Sequence, residues 1–89
     1  MPTKYIFTGE IRRVPRLSGA FVEIPPEITS HFINTEKIKA RITFDGKITE
    51  NTIISKLMFP DFVIGVTANV RRMINKSWGD CVEIEFCER

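Results

Sequence analysis

Few residues in this 89-residue chain are of types that carry chemistry, and their spacing assembles little. The single histidine, His31, is a candidate general base. It follows Ser30 on a segment whose apolar positions, Ile28 and Phe32, lie four apart, so it reads as a solvated helix histidine. Cys81 and Cys87 bound the run Cys-Val-Glu-Ile-Glu-Phe-Cys, which alternates like a strand. Six residues of strand span about 20 Å at roughly 3.3 Å per residue. A disulfide needs Cα atoms within about 7 Å, so the two thiols stay free and fit a reducing compartment. Redox work would need nearby positive charge to lower a thiol pKa, and Glu83 and Glu85 supply the opposite. One histidine without a close cysteine pair gives no zinc ligand set, so no metal and no cofactor are expected. There is no Gly-x-Ser-x-Gly turn and no glycine-rich phosphate loop. The sequence therefore gives no catalytic residue.

Basic side chains are the more informative set. Arg12, Arg13 and Arg16 cluster at the end of the first strand, and Arg71, Arg72 and Lys76 lie on or just after the second helix. If the two clusters meet in space, a phosphate-binding surface becomes possible. Solvated surface charge is the favoured reading, because eleven acidic residues dilute the clusters and no aromatic–basic interleaving appears. Lys37, Lys39 and Arg41 line one strand's outer face, where charge solubilises and protects an edge. Asp45-Gly46 and Gly79-Asp80 are turn residues. In both turns the carboxylate is expected to bind backbone N–H groups. Trp78, beside Gly79, reads either as an exposed recognition residue or, the favoured reading, as a lid over the barrel end.

Thirteen Lys+Arg against eleven Asp+Glu leave a formal net charge of +2, too weak by itself to imply nucleic acid or an anionic membrane. Hydrophobic residues are 43% and charged residues 27%, a globular composition with room for one domain over residues 1–89. No apolar run reaches the roughly 18 residues of a membrane helix. The segment Met1 to Tyr5 shows no signal-peptide core. A cytoplasmic protein without membrane association is expected.

The positioning elements follow from hydrophobic period. Lys4 to Val14 reads as a strand with Tyr5, Phe7 and Ile11 on one face, ended by Pro15. Ala20, Val22 and Ile24 make a second strand, alternating with Phe21 and Glu23. Pro26 suits a helix start, and a short helix is expected over Glu27 to Ile33. Lys37 to Phe44 is the clearest strand, with Ile38, Ala40, Ile42 and Phe44 on one face. Asp45-Gly46 is a hairpin signal, returning the chain along Lys47 to Leu57. Met58-Phe59-Pro60-Asp61 reads as a loop. Phe62, Ile64 and Val66 form a further strand, Thr67 is a helix N-cap, and Val70, Met73 and Ile74 share the helix's inner face. Lys76 suits the helix C-terminus. Val82, Ile84 and Phe86 face inward from the last strand.

The second half overlays the first at an offset of 42 residues, since Ala20, Val22, Ile24, Ile28, Phe32, Ala40, Ile42 and Phe44 meet Phe62, Ile64, Val66, Val70, Ile74, Val82, Ile84 and Phe86. Upstream, Ile6 and Ile11 meet Ile48 and Ile53 more weakly. The chain thus reads as two ββαβ repeats, over roughly 4–44 and 47–87, joined at Asp45-Gly46. Six short strands with one apolar face each are best buried by closing on themselves. The expected fold is all-β: a small six-stranded pseudo-twofold barrel capped by two short helices.

Three runs also resemble a known family. They are Gly19-Ala20-Phe21-Val22-Glu23-Ile24-Pro25, then Phe44-Asp45-Gly46, then Val70-Arg71 with Lys76 and Gly79-Asp80-Cys81-Val82-Glu83-Ile84. The chain is similar to bacterial and archaeal small β-barrel domains of unknown function, some of which are followed by a bacteriocin-protection, OmpD-associated segment. The resemblance covers nearly the whole chain. It implies a double-split β-barrel, the fold class of AbrB-type DNA-binding regulators. No appended second domain is expected here. The family carries no established activity to transfer, and a shared fold does not establish function.

Three functional readings stand. The first is a non-catalytic binding or interaction module. The second is nucleic-acid binding through Arg12, Arg13, Arg16, Arg71, Arg72 and Lys76. The third is small-molecule binding at a barrel end near Trp78, His31 or Phe59, which plugging by Ile28, Phe32, Val70 and Ile74 would remove. A protein or DNA is the expected partner, and the chain is a monomer or homodimer.

Overall fold

The protein was studied as a computed structural model. It describes residues 3–32, 35–55 and 62–89. Ile33, Leu57 and the expected loop Met58-Phe59-Pro60-Asp61 lie outside the described residues.

The chain is mostly strand. In order run β1 (Lys4–Glu10), β2 (Arg12–Arg13), β3 (Ala20–Glu23), α1 (Pro26–Thr29) with a 3-10 turn over Ser30–Phe32, β4 (Lys37–Phe44), β5 (Ile48–Ser55), β6 (Val63–Gly65), α2 (Ala68–Ile74) and β7 (Cys81–Glu88). All the strand pairings are antiparallel, and the sheet order is β1-β7-β4-β5-β6-β3-β2.

The hydrogen-bonded order is therefore open and has seven strands, where a closed six-stranded barrel was expected. The difference arises at one residue. The expected first strand breaks at Ile11, because the chain changes partner there. Up to Glu10 it pairs with β7; from Arg12 it pairs with β3. Ile11 donates its N–H to the Asp80 carbonyl, and its own carbonyl accepts from Gly79 N–H. Gly9 makes the crossing possible: a Cβ there would run into Cγ1 of the buried Val22.

Two ladders join the halves of the chain. β3 and β6 are centred on Val22↔Ile64, and β4 and β7 place Thr43 opposite Glu85; both pairs are 42 residues apart. The flanking bonds mirror each other, since Val66 N–H donates to the Ala20 carbonyl and Ile24 N–H to the Phe62 carbonyl. The first strands follow an offset one residue longer. Arg12↔Phe21 is matched by Ser55↔Val63, and buried Ile11 by buried Ile54. Ile53, the expected counterpart of Ile11, is 53% exposed.

One core holds the structure. Ala20, Val22, Ile24, Phe32, Ile38, Ala40, Ile42, Phe44, Ile54, Phe62, Ile64, Val66, Val70, Ile74, Val82, Ile84 and Phe86 are all buried in it with Ile11. Phe21, expected to face outward, is buried too. Met73 is not part of the inner face: it is 58% exposed. In a seven-residue helix only a narrow i, i+4 stripe, Val70 and Ile74, reaches the core. The Asp45-Gly46 turn takes positive φ at both residues, 53° and 66°, as its sequence predicts.

The helices end differently. Pro25 and Pro26 start α1 without a side-chain cap, and the helix tightens to 3-10 after four residues. α2 is capped by Thr67, whose Oγ1 accepts from Val70 N–H, and closes on Asn75 in the left-handed region. No described helix is long and apolar enough to cross a membrane.

Candidate functional site

The two arginine clusters meet, and Trp78 is where they do so. The Arg13 guanidinium carbon lies 4.9 Å from the Trp78 ring centroid and that of Arg71 lies 5.6 Å from it. Cation–π contacts at this range are worth about 0.5–1 kcal/mol each at exposed positions. Three elements bring them together: β2 carries Arg13, α2 carries Arg71, and the turn before β7 carries Trp78. The Ile11 bonds to Gly79 and Asp80 fasten β2 to that turn.

Both arginines also hold the loop between β2 and β3. Arg13 Nε donates to the Leu17 carbonyl at 3.1 Å, and Arg71 Nη2 reaches the Ser18 carbonyl at 3.5 Å. Arg71 Nη1 donates to the Val66 carbonyl at 2.6 Å. The loop closes on itself through Val14 N–H to Gly19 O and Leu17 N–H to Val14 O, with Arg16 at φ 67°. Leu17 stands 56% exposed beside this group. Trp78 is 42% exposed and lies outside the buried core.

Among the described residues, Arg13, Arg16, Arg71 and Arg72 have no carboxylate partner within ion-pair distance. Arg12 is paired, at 3.8 Å from Glu10. Two shallow hollows flank Arg71. One, of about 270 Å³, is lined by residues 18–20, 65–68 and Arg71. The other, of about 290 Å³, lies between Arg71, Arg72, Asn75, Lys76, Ser77 and Asp80.

Lys76 has a different task. Its Nζ lies 2.7 Å from Asp45 Oδ2 and donates to the Cys81 carbonyl at 2.6 Å. The other Asp45 oxygen accepts from Glu83 N–H at 2.8 Å. Burial pushes the Asp45 carboxyl up, but the Lys76 bond, the Glu83 N–H and the charges of Lys76 and Lys47 together hold it below the ordinary range. This carboxylate thus binds a backbone N–H as expected, though across to β7 instead of within its own turn. Asp80 keeps to its own turn, where Oδ2 accepts from Ser77 N–H beside Gly79 at φ 91°.

His31 is exposed on the 3-10 turn, with its ring 5.8 Å from Tyr5. Cys81 and Cys87 are free. No group of three metal-ligating side chains occurs among the described residues. Phe32, Val70 and Ile74 lie in the core, and Ile28 packs against it.

No signal in the sequence placed Trp78 between the clusters, since the contacts join residues 13, 71 and 78 across the fold. A family model described as a domain of unknown function, DUF1905, matches residues 7–86. No curated protein matches the chain.

Proposed function

Because the chain belongs to the DUF1905 family, whose function is unknown, we propose from its geometry that it is a non-catalytic module that binds an anionic partner at the Arg13–Trp78–Arg71 surface. One observation carries this reading: two arginines without carboxylate partners converge on one exposed tryptophan. The carboxylate best shielded by its neighbours, Asp45, holds a turn and is not free for chemistry.

Nucleic acid is the second reading, favoured by Arg72 bordering the same surface. Lys76 contributes to it less than its position in the sequence suggests, because Asp45 neutralises it. The scaffold we propose is the pseudo-twofold double-split barrel of AbrB-type proteins, with repeats over 4–44 and 47–87. Its support is the offset of 42 in both cross-half ladders. A count of β1 and β2 as one bent strand, with β5 turning from β4 to β6 as its counterpart, supports the six strands of this scaffold. The free thiols fit a cytoplasmic site of action.

Trp78 is the only tryptophan, so its fluorescence reports this surface alone. The test titrates the protein at low salt with mixed-sequence duplex DNA and, separately, with poly-L-glutamate. The reading predicts saturable quenching by at least one polyanion, weakened in Arg13→Ala and Arg72→Ala. Each lost phosphate contact should reduce the salt slope for duplex by about 0.9. Quenching by polyglutamate alone would remove the nucleic-acid reading; quenching by neither would remove both.

A further inference from the structure

We propose that the free edge of β1 is a self-association site, pairing antiparallel with β1 of a second copy of this chain. β1 stands at one end of the hydrogen-bonded order and pairs only with β7. Its neighbour in sequence, β2, has left to pair with β3. The direction of the unpaired backbone follows from Ile11, whose N–H and carbonyl both bond toward Asp80 and Gly79 at the start of β7. Backbone groups alternate sides along an extended strand. Those of Tyr5, Phe7 and Gly9 therefore also face β7, and those of Lys4, Ile6 and Thr8 face away, toward the open edge. Such an edge is a template for another strand.

The sequence of this edge is complementary to itself. In an antiparallel pair centred on Phe7, Lys4 stands opposite Glu10 of the second copy and Ile6 opposite Thr8. Tyr5 faces Gly9, and Phe7 faces Phe7. The register places even-numbered residues opposite even-numbered ones, as the outward backbone groups require. The dimer gains two Lys–Glu pairs, one at each end of the paired strands. Ile6 is 59% exposed, a large apolar side chain on a strand edge that an isolated chain leaves in water. The pairs that Lys4 and Glu10 make within the chain are long and exposed, 3.9 Å to Glu85 and 3.8 Å to Arg12, so they yield to the new partners at little cost. This surface is separate from Trp78, and the inference does not depend on the binding reading.

Sedimentation equilibrium of the full chain across micromolar to millimolar concentration tests it, together with three charge variants. The unaltered chain should show a monomer–dimer equilibrium. Lys4→Glu or Glu10→Lys alone sets like charges opposite each other twice per dimer and should weaken the dimer about tenfold. The double variant, Lys4→Glu with Glu10→Lys, should restore it. All three changes are at exposed positions, and circular dichroism confirms that each variant folds. A chain that stays monomeric throughout the range, or a dimer indifferent to the single swaps, would overturn the proposal. A dimer weakened by the single swaps but not restored by the double variant would overturn the register.

Discussion

The two halves of the molecule bury the same pattern and expose different ones. Residues 42 apart are matched in the core: Val22 with Ile64, Ile24 with Val66, Phe32 with Ile74, Phe44 with Phe86. On the surface the match disappears. Arg71 and Arg72 stand where the first half has Thr29 and Ser30, and Trp78 stands where it has Glu36. The core pattern is what packing demands of both halves. The cationic and aromatic surface is not required by packing, because its first-half counterpart folds without it. That contrast is why we propose the α2 end as the binding surface.

The comparison can be strained most strongly in the core. Phe44→Ala and Phe86→Ala should each cost about 3–5 kcal/mol in chemical denaturation, as large cavities do. If one is tolerated and the other is not, the two halves are not energetically equivalent. Gly9→Ala is next, at about 1–3 kcal/mol, since the new methyl must displace Val22. Thr52, its counterpart on β5, already carries a side chain, and Thr52→Ala should change stability by less than about 0.5 kcal/mol. Equal losses would mean that the crossing at Gly9 is not the close contact described. Thr67→Ala should cost about 1 kcal/mol by removing the α2 cap, a contribution α1 does not have.

Smaller still is the contribution of Asp45, at most about 1 kcal/mol, because Lys76 is partly open to water and the pair is screened. Its carboxyl is held below its unfolded value of about 3.9. The stabilisation is therefore fully present above that value and is lost as pH falls through the lower folded one. Denaturation midpoints of Asp45→Asn should be flatter than those of the unaltered chain as the pH falls below about 4. Identical acid profiles would show that the latch between the β4–β5 turn, α2 and β7 contributes nothing.

Much of the fold was legible in the sequence where the cause is local. β4 came out over Lys37–Phe44 as its alternation predicts, Thr67 caps α2, and Asp45-Gly46 makes its turn. The offset of 42, read from the sequence as a repeat, recurs in the ladders of β3 with β6 and β4 with β7, but which strands pair was not read from it. The break at Ile11 was not legible. A straight strand and one that changes partners both keep a period of two, so Tyr5, Phe7 and Ile11 look the same in either. The error of one residue between Ile53 and Ile54 has the same origin. Met73 was misplaced because a helical stripe read from sequence is wider than a seven-residue helix can bury. The site was half legible. Arg13 and Arg71 were recognisable as members of basic clusters, but their meeting at Trp78 and the hold of Asp45 on Lys76 are long-range contacts with no local signature.

The most direct measurement is an amide-resolved NMR titration with mixed-sequence duplex DNA and with poly-L-glutamate at low salt, comparing the two ends of the molecule. The account predicts shifts at Arg13, Leu17, Arg71, Arg72 and the Trp78 indole N–H with at least one of them, fading as salt rises, while Thr29, Ser30 and Glu36 stay unmoved. Shifts spread equally over both ends, or none with either polyanion, would contradict it.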